Sequence, residues 1–125
     1  MLAREGMMAK EVTHYIAGLE GPNRKAVAAV VKRVRVLMPE VEEGVSYAMP
    51  ALLWHGKALL AVVVRKRFIA VYPFSGKVIS ALAGDLAAFR TTSGSVSFTP
   101  EAPLPGAVID KLVKARRAEI QAEGR

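Results

Sequence analysis

Apolar and polar side chains along this chain follow two different periods. Between residues 10 and 19, Val12, Tyr15, Ile16 and Leu19 fall on one side of a helix. Between about 23 and 38, Val27, Val30, Val31, Val34, Leu37 and Met38 recur at three- and four-residue steps. Arg24, Lys25, Lys32, Arg33 and Arg35 lie outside that stripe. The spacing predicts two amphipathic helices, parted by Gly21-Pro22-Asn23 and closed by Pro39.

Beyond Pro39 the period falls to two. Val45, Tyr47 and Met49 alternate with Ser46 and Ala48, which predicts a half-exposed strand. Pro50 marks an edge or a bend, and Ala51 to Trp54 leads into a turn at His55-Gly56. Lys57 to Val64 is apolar on both faces and predicts a central strand. Arg65-Lys66-Arg67 is a polar turn, from which Phe68 to Tyr72 returns antiparallel until Pro73. Ser75 is placed to cap a helix carrying Val78, Ile79, Leu82, Leu86 and Phe89, weakened at Gly84. Thr91 to Gly94 is a loop, and Val96 and Phe98 alternate with Ser95 and Ser97 in a last strand. Pro100, Pro103 and Pro105 stiffen the connector to a closing helix over 105–121. The order α-α-β-β-β-β-α-β-α predicts an α+β fold. Its sheet is twisted and largely antiparallel, with helices packed on one face.

At 125 residues the chain suits one domain, over 10–121, with an extension at 1–9 and a tail at 122–125. Met7 and Met8 are alternative starts to Met1. A hydrophobic content of 52% argues against disorder. Cysteine is absent, which excludes disulfides, thiolate metal sites and cysteine nucleophiles, and suits a reducing cytoplasm. The first residues, MLAREGMMAKEV, hold no apolar signal-peptide stretch, and the run Ala58 to Val64 is too short to span a bilayer. A cytoplasmic protein is expected. The net charge of +7 favours acidic partners such as nucleic acid or anionic lipid. Because the basic residues are scattered over the chain, a solvated, slightly basic surface is the preferred reading.

Candidate chemistry is sparse. His14 and His55 lie on different elements with no metal-ligand spacing. Glu40, Glu42 and Glu43 form the one carboxylate cluster, of a kind that suits hard cations and holds Fe²⁺ weakly. Three acids on a connector also describe a plain solvated turn. No GxSxG elbow or P-loop occurs, and Ser46, Ser93, Ser95 and Ser97 lack evident partners, so an enzyme ranks last. Basic residues on the second helix, the 65–67 turn and the last helix could meet phosphates. Tyr47, Trp54, Phe68 and Tyr72 could stack bases if the open sheet face is bare, and otherwise belong to the core. Arg116 falls inside the apolar stripe of the last helix and needs a partner, with Glu119, Glu42 or Glu43 within reach.

The segments EEGVSYAMPAL, GKALLAVVVRKRFIAVYP, TTSGSVSF and PLPGAVIDKLVKARRAE, in that order, resemble the small bacterial YdhG-like proteins. These are a family of unknown function, some members of which are labelled frataxin-like iron chaperones. The resemblance covers residues 10 to 119. It implies an α+β sandwich, with Glu43, Ser46, Tyr47, Met49, Pro50, Tyr72, Pro73, Pro105 and Arg116 at the family's signature positions. Where many relatives have lysine, a small polar residue and histidine, this chain has Lys66-Arg67-Phe68, which removes a potential metal ligand. Its Gly94-Ser95-Val96-Ser97-Phe98 replaces the usual G-T-I-x-F. The leading expectation is a non-enzymatic binding domain. It would use a groove at Ser46, Tyr47, Trp54 and Tyr72 beside loop 91–95, with Arg116 as a further binding residue. In the iron-chaperone version Glu40, Glu42 and Glu43 would hold Fe²⁺ as cargo. The alternative is a basic module for nucleic acid or another anion.

Overall fold

The computed structural model describes residues 10–124; the expected extension over 1–9 lies outside them. Helix α1 spans Glu11–Ala17 and α2 spans Gly21–Leu37. Pro22, in the first turn of α2, costs no hydrogen bond there, and Val27, Val30, Val31 and Val34 form the buried stripe that the spacing predicts. Strands β1 (Glu42–Ser46), β2 (Met49–Trp54), β3 (Lys57–Val64) and β4 (Ile69–Tyr72) follow. Ser75 then caps α3 (Gly76–Ala81), its Oγ accepting from the Val78 N–H. Strands β5 (Arg90–Thr91) and β6 (Val96–Phe98) precede α4 (Gly106–Glu123), which runs into the expected tail.

The six strands form one antiparallel sheet in the order β1-β2-β3-β4-β6-β5. The α+β class and the helix-strand order stand as expected, with β5 added in what the sequence pattern leaves as a loop. Two expected elements do change. The helix expected to carry Leu82, Leu86 and Phe89 ends at Ala81, ahead of Gly84, and the chain goes on in turns. The stretch from Val45 to Met49 is no single strand: the chain reverses at Tyr47-Ala48, and Ser46 pairs with Met49 across the turn. A two-residue turn with both φ positive twists as the flanking strands do, and Asn-Gly is its usual signal. Tyr-Ala hides it.

One face of the sheet supplies Leu52, Leu60, Val62, Ile69, Val71, Val96 and Phe98 to the main core. The helices lay their stripes on that face, including Val27, Val34, Ile79, Ile109, Leu112 and Ile120. Each such buried side chain contributes about 1.5–3 kcal/mol. The other face has a smaller cluster with a floor of small residues, Ala51, Ala61 and Val63. Tyr15, Met49, Leu53, Tyr72 and Phe74 pack on that floor.

Two polar clasps tie helices to this frame. Glu43, on the helix side of the edge strand, accepts from the Thr13 N–H at 2.7 Å, from Thr13 Oγ1 at 2.6 Å and from Arg35 Nη2 at 2.6 Å. Burial alone would raise its pKa; the bonds from Thr13 and the charge of Arg35 outweigh that and hold it below the usual carboxylate value. Arg33 grips Asp110 with two bonds of 2.7 Å, joining α2 to α4. That bidentate bond, with the charge behind it, raises the arginine and lowers the aspartate.

Candidate functional site

The reversal after β1 decides where the site lies. Tyr47 and Ala48 have φ of 52° and 61°, the left-handed region that glycine or asparagine normally occupies. The turn thrusts the Tyr47 ring outward, where it is 86% exposed. Its ring centre lies 6.0 Å from that of Phe74, with the two planes 20° apart. Phe74 follows Pro73 at the end of β4 and is itself left-handed, with φ of 58°. Two strained backbones therefore hold two rings against each other at the surface. Strain of this kind costs of order 1–3 kcal/mol per residue and persists only where the surroundings enforce it.

Beneath the pair is a hollow of about 440 Å³. Met49 and Tyr72 line it from β2 and β4, Arg65 from the β3–β4 turn, and Ser75, Gly76 and Gly94 from two loops. The Tyr72 hydroxyl accepts from Arg65 Nη2 at 2.9 Å and from Nε at 3.2 Å, while the guanidinium carbon sits 5.5 Å from the tyrosine ring centre. Among the described residues Arg65 has no carboxylate partner, and it is the one charged side chain lining the hollow. The site is therefore aromatic, sulfur-lined and positive. Such a surface suits a planar or apolar group carrying an anion.

A brace fixes the loop from behind. Arg116 donates from Nε to the Ala58 carbonyl at 3.0 Å and from Nη1 to Glu119 Oε1 at 3.1 Å. Glu119 Oε2 accepts from Ser75 Oγ at 2.8 Å. The chain of contacts runs from β3 through α4 to the cap of α3, one residue after Phe74. Only 11% of the Arg116 side chain is exposed, and both partners that its burial demands are present. On the other side, a Cβ on Gly76 would come within 3.0 Å of the Ser93 carbonyl, so glycine permits loop 92–95 to close the rim.

The expected site residues divide. Tyr47 and Tyr72 line the hollow, and Ser46 flanks the turn opposite Met49. Arg116 borders an adjoining recess with Phe74, Ser75 and Gly76, and reaches the hollow only through the brace. Neither Glu42 nor Glu43 is its partner. Trp54 lies at the far end of β2, roughly 17 Å along the strand. It is buried, stacks on His55 with ring centres 3.9 Å apart, and donates from Nε1 to Glu40 Oε2 at 3.2 Å. The three glutamates do not converge: Glu40 serves Trp54, Glu43 serves Thr13 and Arg35, and Glu42 alternates to the opposite sheet face. Among the described residues no group of three or more His, Asp or Glu side chains could hold a metal ion. Two site residues escaped the pattern of the sequence. Arg65 reads as the start of a polar turn and Phe74 as a residue beyond a strand stop; only the positive charge beside Y-P-F hints at either.

Fold and site together define a small α+β domain with a ligand-sized hollow on the open face of its sheet. Among solved structures it is similar to the crystal structure of YdhG, a DUF1801-family protein from Bacillus subtilis. The match has a TM-score of 0.74 and 19% sequence identity, over 84% of this chain and 86% of that one. The YdhG-like resemblance in the sequence is thus met at the level of the fold. No family model matches the chain, and no curated protein matches it. Among the described residues no helix is long and apolar enough to cross a membrane.

Proposed function

We propose that this chain is a YdhG-like binding domain, without catalysis of its own, whose hollow takes a ligand with a planar body and an anionic group. One observation carries the reading. The exposed Tyr47 is held in strained backbone against Phe74, over a hollow whose one charge among the described residues is an arginine with no carboxylate partner among them. The planar body lies against Tyr47 and Tyr72, and the anion meets Arg65, whose fork suits carboxylate or phosphate. The cysteine-free sequence suits work in the cytoplasm. An iron cargo finds little support: the three candidate glutamates are apart, and two are engaged by neighbours.

The test is a titration with phenyl phosphate, followed by tyrosine fluorescence and by calorimetry. Saturable binding that Tyr47→Ala and Arg65→Gln each weaken about tenfold or more supports the site; it corresponds to loss of one ring contact or one charge-assisted bond. Binding indifferent to both substitutions overturns it. A parallel anaerobic Fe²⁺ titration settles the cargo, since saturable binding abolished by Glu42→Gln would restore the iron reading.

A further inference from the structure

The hollow has a neighbour on the same sheet face. Arg67, Phe68, Arg90, Ser97 and Thr99 line a second recess of about 340 Å³ with Phe98. Register places it. Val63 pairs with Ala70, Ala70 with Ser97 and Ser97 with Arg90, so these four form one cross-strand row. Tyr72 lies two residues beyond Ala70 and shares its face. Phe68 lies two residues before Ala70 and lines the recess beside Ser97 and Arg90. Strand β4 and the residue before it thus place two half-buried rings, Phe68 and Tyr72, on this face with the buried Ala70 between them, roughly 13 Å apart along the strand.

Ion pairs engage Arg33, Arg35, Lys57, Lys111 and Arg116. Arg65, Lys66, Arg67 and Arg90 are exposed and have no acidic partner among the described residues. Basic side chains without acidic partners among the described residues occur on the helices too, at Lys25, Lys32, Lys114 and Arg117; on the open face they stand beside aromatic rings. Among the described residues no carboxylate lines either recess. Glu42 shares this face, but at the end of the edge strand away from the turn. Rings placed beside unpaired arginines in two neighbouring recesses match the alternation of bases and phosphates in a single strand.

We infer that the open sheet face binds single-stranded nucleic acid, with bases stacked on the Tyr47–Tyr72 hollow and on Phe68, and phosphates met by Arg65, Arg67 and Arg90. The inference rests on the proposed hollow and names its ligand. A mononucleotide fills the hollow alone, whereas an oligomer also reaches the second recess. Affinity therefore rises with length.

The experiment is fluorescence anisotropy with a labelled oligouridylate of about ten nucleotides, from low to moderate salt. Phenyl phosphate and phosphatidylserine vesicles are titrated in parallel. The expected result is binding about tenfold or more tighter than phenyl phosphate, weakened about tenfold by Phe68→Ala. The double substitution Arg67→Gln/Arg90→Gln should lower the slope of log affinity against log salt by about 1.4. All these positions are surface-facing, and circular dichroism confirms that each variant is folded. If phenyl phosphate binds through Tyr47 and Arg65 but the oligomer gains nothing and ignores Phe68, Arg67 and Arg90, the inference falls and the hollow stands. If neither probe binds, both fall. Vesicle binding that exceeds oligomer binding and depends on Arg67 and Arg90 overturns the inference in favour of a membrane surface.

Discussion

Single residues here hold conformations that a stability-optimised sequence would avoid. Ala48 takes φ of 61° with no side chain to profit from it. Ala48→Gly should therefore raise stability by about 1 kcal/mol, visible as a higher urea midpoint with an unchanged slope. Tyr47→Asn should also stabilise the turn, by a few tenths to about 1 kcal/mol, yet abolish phenyl phosphate binding. A site in which one substitution improves the fold and removes the ligand is the pattern expected where strain serves function. Arg116 works differently. Arg116→Ala strands Glu119 and the Ala58 carbonyl, and should cost about 2–4 kcal/mol. Glu119→Gln keeps the shape but removes the charge opposite Arg116 and leaves one acceptor oxygen where Arg116 and Ser75 had two. It should weaken phenyl phosphate binding severalfold while costing less stability than Arg116→Ala, which separates bracing from folding.

At the scale of elements, the clasp on Glu43 sets how the edge strand and the two N-terminal helices respond to acid. Its folded pKa lies below the unfolded one, near 4.3 for a free glutamate. The stabilisation is complete above that value and fades as pH falls through the folded pKa. The stability difference between the wild type and Glu43→Gln should be largest above about pH 5, at about 2 kcal/mol, and should shrink as pH falls through the folded pKa. Denaturant curves across that range measure it; a gap that widens in acid would contradict the assignment. Helices and the central strand were legible in the sequence because their apolar periods run for many residues, as at Val27 to Val34 and Leu59 to Val63. The β1–β2 hairpin was not, because Tyr-Ala replaces the usual turn residues and the false alternation Val45, Tyr47, Met49 crosses it. The convergence of Tyr47, Tyr72 and the Arg116 brace could be anticipated only by resemblance. Period gives faces of elements, whereas meeting across them depends on turns. The separation of Glu40 from Glu43 was hidden for the same reason, since neighbours in sequence found different partners in space.

For the whole molecule, the order β1-β2-β3-β4-β6-β5 bears on how the chain finds its structure. Most strand pairs join neighbours in sequence, so the sheet closes through short loops at small entropic cost. Helix α4 must instead return to α2, with Arg33 and Asp110 separated by 77 residues. The meander should form the folding nucleus and the α2–α4 layer should dock late. Val62→Ala in β3 should then slow folding, while Leu112→Ala in α4, costing about 3 kcal/mol, should mainly speed unfolding. On a growing chain the same order means that the open face is assembled from residues 47 to 97, before the last helix emerges on the other side. In that interval α2 covers part of the sheet's apolar side, and the part that Ile109, Leu112 and Ile120 of α4 will bury stays open.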